Sequence, residues 1–163
     1  MAEQEQTLVT ADMIKNQGVW GRETKSYPVS LSDIRKFAIA VYWPETPPRL
    51  FWDEEYARTT RWGGIIAPQD FNPFAWPIKG PTLPDFAMPR EGGRGVRGMN
   101  GGQTDTFLLP MRPGDVIRAR TRLRDWNERQ TRLGLTLFIY TETEWRNQND
   151  ELVKRHVQNF IRY

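Results

Sequence analysis

The C-terminal part of the chain alternates apolar and polar residues with a period of two. In residues 115–126 one side of the pattern carries arginines, and the other carries Ile117, Ala119, Thr121 and Leu123. Such alternation is typical of a β-strand with one buried face. Three short polar stretches (MRPGD, NERQ and RNQND) are predicted turns, and they separate further strands predicted at residues 104–110, 131–145 and 151–163.

The N-terminal half has helical periodicity instead. Residues 31–42 place apolar side chains at helical spacing, and Ser30 with Asp33 three residues later forms a capping-box pattern. A second short helix is predicted within residues 53–62, where acids come first and arginine late. The pattern as a whole predicts an α+β fold, in which helices precede an antiparallel meander that buries a helix on one face.

A chain of 163 residues is most simply a single domain, residues 1–163. Residues 1–25 are predicted to form an N-terminal arm. Prolines crowd the segment from Pro44 to Pro89 and glycines follow, so a long irregular excursion is expected at about 76–103. Irregular segments of this length in a compact domain are usually functional or mobile.

The amino-acid composition argues against several classes of function. With no cysteine and one histidine, neither a disulfide nor a metal site is expected. The polar N-terminus and the lack of a long apolar run predict a cytoplasmic protein without a membrane segment. Arginines gather in residues 112–132, as on a nucleic-acid surface, at an anionic-cofactor site or on the solvated face of a strand. Twenty acidic residues argue against nucleic acid, and the solvated face is preferred.

Two motifs have weak local support. The letters GRGVRG match a dinucleotide-binding fingerprint, but no buried strand precedes them and no helix is predicted after them. A glycine loop in which Arg94 and Arg97 contact a phosphate fits better. The single histidine, His156, is predicted to be a surface or edge residue in the middle of a strand.

Two longer segments, RLFWDEEYARTTRWGGIIAP and NGGQTDTFLLPMRPGDVIRARTRL, resemble the MaoC-like hydratase/dehydratase domains. The resemblance covers roughly residues 25–163 and is nearest to the non-catalytic N-terminal type of R-specific enoyl-CoA hydratases. It implies a hotdog fold: a long antiparallel sheet wrapped around a central helix, which the prolines here can shorten. It also implies that domains pair and bind an acyl thioester, as in fatty acid or steroid-type acyl metabolism.

The resemblance places the family's catalytic dyad on residues that cannot perform its chemistry. Catalytic members carry Asp and His in a D-x-N-P-[IV]-H segment, where they handle a water molecule and a proton. In register, the Asp place is Thr46 and the His place is Phe51. A second family histidine falls on Pro68, and the glycine after it on Gln69. The ordinary hydratase dyad is therefore absent from this chain.

A literal D-x-N-P does occur later, at Asp70, Asn72 and Pro73. Its position predicts the start of the central helix, with Asn72 as N-cap and Pro73 in the first turn. Asp70 and Asn72 are the remaining candidates for catalysis within the chain, with Glu45, Glu54 and Asp85 as other carboxylates. The expected substrate-binding set is Pro68, Gln69, Asp70, Asn72, Trp76, Arg94 and Arg97, and tryptophans around the prolines can wall an apolar pocket.

Three functions are thus open. The leading one is the non-catalytic, substrate-accommodating half of an R-specific enoyl-CoA hydratase or 3-hydroxyacyl-thioester dehydratase, paired with a catalytic hotdog subunit. The alternatives are a self-sufficient homodimeric hydratase that uses Asp70 and Asn72, and a non-catalytic acyl-CoA-binding module. Each takes acyl-CoA as substrate or ligand, with no cofactor, metal, membrane or nucleic acid expected.

Overall fold

The computed structural model describes residues 7–74, 78–84 and 93–163. Its helices are α1 (Ala11–Asn16), α2 (Leu31–Tyr42) and α3 (Glu54–Thr59), with a 3-10 turn at Arg49–Phe51. Its strands are β1 (Thr24–Lys25), β2 (Gly98–Phe107), β3 (Arg118–Thr131), β4 (Gly134–Arg146) and β5 (Leu152–Arg162). The predicted α+β class is confirmed, and the antiparallel sheet has five strands because β1 adds to the four that were predicted.

The strands follow the order β1-β3-β4-β5-β2. The predicted meander is present as β3, β4 and β5, while β2 crosses over to pair with β5. The NERQ segment was expected to be a turn, but it continues β3, and the chain reverses just before Gly134 instead. Gly134 has φ +91°, a conformation that glycine adopts without a Cβ penalty, so the reversal forms there. Strand β2 begins at Gly98, within the expected excursion.

Helix α2 coincides with the predicted helix, residue for residue. The Ser30 hydroxyl accepts a hydrogen bond from the Asp33 N–H at 3.0 Å, which satisfies a backbone donor at the helix start. Ile34 and Ala38 are fully buried on the inner side of α2. Helix α3 begins after Asp53, whose side chain accepts from the Tyr56 N–H at 3.0 Å. Local capping chemistry therefore sets both helix starts.

The apolar core of the described residues forms two clusters on one face of the sheet. The helix-side cluster lies under α2 and α3 and includes Val29, Ile34, Ala57, Ile65, Ala67, Phe71, Met111, Ile117 and Val153. The N-terminal cluster joins the arm before and within α1 to the far end of the meander, and consists of Leu8, Met13, Leu123, Leu137 and Ile139. The two clusters bury opposite ends of the same face, called the core face below.

The predicted start of a central helix at Asn72 is wrong. Residues 71–74 are not helical, and the Asn72 side-chain oxygen accepts a hydrogen bond from the Phe74 N–H at 2.9 Å. An asparagine that bonds two residues ahead forms an Asx turn, which competes with helix initiation. Residues 78–84 also lack helix, and they run beside β1, where the Thr24 hydroxyl donates to the Lys79 carbonyl at 2.6 Å.

Candidate functional site

The two residues that the resemblance places at the family dyad have side chains that pack in the fold or lie in solvent. Thr46 is exposed and lines a shallow hollow with Arg35, Ile39, Pro47 and Trp52. Phe51 lies in the 3-10 turn and is half-buried against the helix-side cluster. Its ring also contacts the Tyr42 ring, with centroids 6.1 Å apart. Neither residue can transfer a proton near neutral pH.

Two of the carboxylates near these places, Asp53 and Glu54, have structural partners. Asp53 caps α3 and receives Arg49 at 2.7 Å. The Tyr56 N–H, with help from the Arg49 guanidinium, lowers the pKa of Asp53 below its usual value. Glu54 pairs with Arg35 and Arg58, Glu45 is exposed, and Asp85 lies outside the described residues. No partner of Glu45 is apparent in the described part of the chain.

A groove of about 260 Å³ opens between the loop after α3 and the start of β5. Its position is fixed by the Ala67 N–H, which donates to the Met111 carbonyl at 2.8 Å, and by the Leu108 N–H, which donates to the Val153 carbonyl at 2.9 Å. Most of its walls are apolar. The lining residues are Arg61, Trp62, Ile66, Ala67, Pro68, Gln69, Phe107, Leu108, Leu109, Pro110, Met111, Val153 and Lys154.

The groove brings together two of the predicted binding residues, Pro68 and Gln69. Asp70 and Asn72 follow them in sequence and are exposed. Asp70 is therefore a solvated carboxylate rather than one desolvated at a helix start. Trp76 lies outside the described residues.

Arg94 and Arg97 are not part of this groove. Both are exposed, and the Arg97 carbonyl accepts a hydrogen bond from the N–H of Tyr163, just past the end of β5. The groove touches Lys154, nine residues earlier along the strand, and a strand of that length spans about 30 Å. Gly98 opens β2 directly after the glycine loop, so no helix follows GRGVRG and a dinucleotide-binding turn is excluded.

Beside the groove, three rows of paired residues cross the core face from β3 to β2. Paired residues share a face, and so do alternate residues along a strand. The rows are Ala119–Trp145–Lys154–Phe107, then Thr121–Thr143–His156–Asp105, then Leu123–Thr141–Gln158–Gln103. Trp145 packs on the helix-side cluster and Leu123 belongs to the N-terminal cluster. The second and third rows, Leu123 apart, are polar and are called the polar band.

The charged centre of the polar band is Asp105. Its Oδ1 lies 2.7 Å from His156 Nδ1 and 3.4 Å from Lys154 Nζ. The Lys154 ammonium also lies over the rings of Phe107 and Trp145, at 4.9 Å and 5.1 Å from their centroids. Lys154 is also a wall of the groove, so its ion pair with Asp105 links the groove to the polar band.

The expectation of a surface or edge histidine is wrong for His156. Strand β2 covers the free edge of β5, so β5 is an interior strand and only 25% of the His156 side chain is exposed. One feature of the sequence could have indicated a polar cluster at this position: Lys154, His156 and Gln158 follow one another on the same side of a strand. Their partner Asp105 is distant in sequence and could not be assigned from the pattern.

A profile of the family described as "FAS1-like, dehydratase domain region" matches residues 16–156. The chain belongs to this family. A search of curated proteins by sequence found no match. The family assignment agrees with the MaoC-like resemblance carried by the two segments quoted above.

Comparison with solved structures shows that this chain has the hotdog fold. The MaoC-like dehydratase from Rhodospirillum rubrum superposes with a TM-score of 0.59 at 19% identity, covering 88% of this chain and 91% of that one. The ChsH1–ChsH2 complex from Mycobacterium tuberculosis gives 0.68 at 16% identity, covering 93% and 94%. The HadBC (3R-hydroxyacyl-ACP dehydratase) complex from the same organism gives 0.56 at 18% identity, covering 93% and 99%.

The opposite face of this hotdog sheet carries the arginine-rich segment. Arg120 donates to Glu144 at 3.1 Å and Arg122 to Glu142 at 2.6 Å, and both guanidinium groups lie over the Trp20 ring. The two glutamate side chains are only 9% and 5% exposed. Acidic partners thus occupy these two arginines, which a nucleic-acid surface would leave open.

Glu144 has a lowered pKa as a result of this pairing. Burial alone would raise it, but hydrogen bonds from Arg120 and Arg146 favour the ionised form and outweigh the burial. Elsewhere in residues 7–74, 78–84 and 93–163, acidic, histidine and cysteine side chains form no group of three or more that could hold a metal ion. None of the helices within these ranges is long and apolar enough to cross a membrane.

Proposed function

We propose that this chain is the substrate-accommodating half of an R-specific enoyl-CoA hydratase or 3-hydroxyacyl-thioester dehydratase. The proposal rests on the two side chains at the dyad places: Thr46 is exposed and Phe51 is packed. A hydratase needs an acid–base group at those places. A second hotdog subunit would supply the Asp and His, and this chain would supply part of the acyl pocket.

The groove supports a role in binding the acyl group. Its apolar walls, including Met111 and Leu109, suit an acyl chain, and Gln69 adds a polar group at its rim. A turn at Asn72 stands where the start of a central helix was expected, and Phe74 just after it packs on Trp145. These features favour accommodation of a bulky acyl thioester over catalysis at the family's own dyad.

A free sheet edge supports the need for a partner. Strand β2 ends the order of strands in the described residues, and all of its ten residues except Asp105 are exposed. Long exposed edges invite pairing with another chain. The ChsH1–ChsH2 and HadBC structures are complexes by name, so a two-chain assembly is the arrangement we propose here.

Activity of mixed subunits tests the proposal. The purified chain should hydrate no crotonyl-CoA by itself, because neither dyad place holds a proton acceptor. Co-expression with a hotdog subunit that retains D-x-N-P-[IV]-H should give a stable complex whose hydration rate on longer enoyl-CoA exceeds that of the catalytic subunit alone. Appreciable hydratase activity by the lone chain would contradict the proposal.

The Asp70→Asn variant separates this proposal from the self-sufficient homodimer. An exposed carboxylate that only borders the groove can be replaced with little change, so the activity of the mixed complex should fall less than about twofold. A catalytic base at Asp70 would instead cost at least about a hundredfold. Replacing the exposed Asp125 by Asn, in the middle of β3 and outside the lining of the groove, is the matched control.

A further inference from the structure

The polar band occupies a part of the sheet that ordinarily belongs to the core. It lies between the helix-side cluster and the N-terminal cluster, on the face that both clusters bury. Polar side chains at such positions cost free energy unless hydrogen bonds compensate for lost water. Some members of the band have such bonds: the hydroxyls of Thr121 and Thr143 are 2.8 Å apart, and Asp105 holds His156 and Lys154.

Three neighbouring members of the band keep unused hydrogen-bonding groups. They are Thr141, Gln158, which is paired with Thr141 across the strands, and His156, two residues before Gln158 on the same side. All three are half-buried. Within the described residues, no side-chain hydrogen bond is made by Thr141 or Gln158, and the only partner of the imidazole is Asp105, through Nδ1. A hydroxyl, an amide and an imidazole Nε2 are therefore available side by side.

The charges of the band indicate what kind of group would fit there. The Lys154 ammonium and the Asp105 carboxylate lie within 3.4 Å and offset one another's formal charges. The three free groups carry no carboxylate and no ammonium. Hydroxyl and amide groups both donate and accept hydrogen bonds, and so does an alcohol. The band thus fits an uncharged hydroxyl group better than a phosphate or a carboxylate.

The position of the three groups relates them to the acyl groove. Phe74, just after the Asn72 turn, packs on Trp145 with ring centroids 5.3 Å apart, in the first row. His156 belongs to the second row, and Thr141 and Gln158 belong to the third. At the rise of a β-strand these rows lie about 7 Å and about 13 Å beyond Trp145. A ligand that enters beside Pro68 and Gln69 would reach them only with a distant part of its acyl group.

We infer that Thr141, His156 and Gln158 bind a hydroxyl group carried by the acyl chain of the substrate, remote from its thioester. Asp105 acts as a positioning residue, because its bond to Nδ1 orients the imidazole and leaves Nε2 for the ligand. The inference rests on the proposed function, since it assumes that an acyl thioester occupies the groove. It narrows the substrate class to hydroxylated acyl-CoA.

Direct binding by calorimetry tests the inference with a matched pair of probes, decanoyl-CoA and 10-hydroxydecanoyl-CoA. The intact chain should bind the hydroxylated probe about five- to tenfold more tightly, as one net hydrogen bond allows. Gln158→Met, which keeps the length of the side chain, and Thr141→Val, which keeps its shape, should each reduce this preference to about twofold or less. Their affinity for decanoyl-CoA should stay unchanged, which also reports an intact fold.

Gln130→Met is the control, because Gln130 is exposed near the end of β3 and its replacement should leave the preference intact. Equal affinity of the intact chain for both probes would overturn the inference while leaving the proposed function standing. A preference that survives both variants would overturn it as well. Failure to bind either probe would also overturn it, and the mixed-subunit assay then decides the fate of the proposed function separately.

Discussion

The two faces of the sheet hold charged groups in different ways. On the face opposite the core face, called the outer face, arginines and glutamates of neighbouring strands lie next to one another. The Trp20 ring covers Arg120 and Arg122 there. On the core face, Asp105 alone serves both His156 and Lys154, while Thr141 and Gln158 have no side-chain partner in the part of the chain that is described. The outer face thus pairs Arg120 and Arg122 with glutamates, although the Nε atoms of both arginines make no hydrogen bond within the described residues, and the core face holds two polar side chains without a side-chain partner.

This difference separates structural charge from candidate binding chemistry. Buried charges that are matched across strands contribute to register and stability, and removing one partner leaves the other uncompensated. Unmatched polar groups contribute little to stability and are expected where a ligand completes them. The arginine-rich segment is the most conspicuous feature of the sequence, but Arg120 and Arg122 are paired with Glu144 and Glu142, whereas the Thr141 and Gln158 side chains on the core face make no hydrogen bond within the described residues.

The largest effect is expected from Glu142→Gln on the outer face. Glu142 is 5% exposed and lies near three cations, Arg122, Arg124 and Arg155. Loss of its charge leaves them unpaired, although their own partial exposure moderates the cost, so the free energy of unfolding should fall by about 2 kcal/mol. Chemical denaturation measures this loss.

The matched control for that variant is Glu54→Gln. Glu54 pairs with Arg35 and Arg58 on an exposed helix, so its loss should cost less than about 0.5 kcal/mol. Equal losses of unfolding free energy from the two variants would show that buried and exposed ion pairs contribute alike. The comparison of the two faces would then be wrong.

An effect confined to low pH is expected from Glu144. Its pKa in the folded state is below the usual glutamate value of 4.5, so its contribution to stability is complete above that pH. The contribution is lost as the pH falls further, through the folded-state pKa. Denaturation midpoints between pH 7 and pH 3 should therefore fall more steeply for the natural chain than for Glu144→Gln. Parallel curves would show that Arg120 and Arg146 do not favour the ionised form.

The smallest effect is expected from Gln158→Met on the core face. The amide has no side-chain partner among the described residues, so its removal breaks no such bond, while an apolar side chain is easier to bury. The free energy of unfolding should change by less than about 0.5 kcal/mol or rise slightly. Thermal unfolding of the isolated variant measures it. A loss as large as that of Glu142→Gln would mean that Gln158 is structural.

Local chemistry made much of the fold predictable. The alternation around Leu123 predicted β3, and the Ser30 cap predicted the start of α2. The assignment of Thr46 and Phe51 to the dyad places rests on register with the family segments and stays a prediction. The start of the central helix was mispredicted, because Asn72 satisfies a backbone donor equally well as a helix cap or as an Asx turn.

The pattern of residues is enough to predict an alternating antiparallel sheet, capped helices and a dehydratase-type family. Which polar side chains become partners depends on the folded sheet. Asp105 and His156 are 51 residues apart, and their contact exists because β2 crosses over to pair with β5 in one particular register. Strand register over such separations depends on the packing of the whole sheet, and a shift of one residue would turn the polar band to the opposite face.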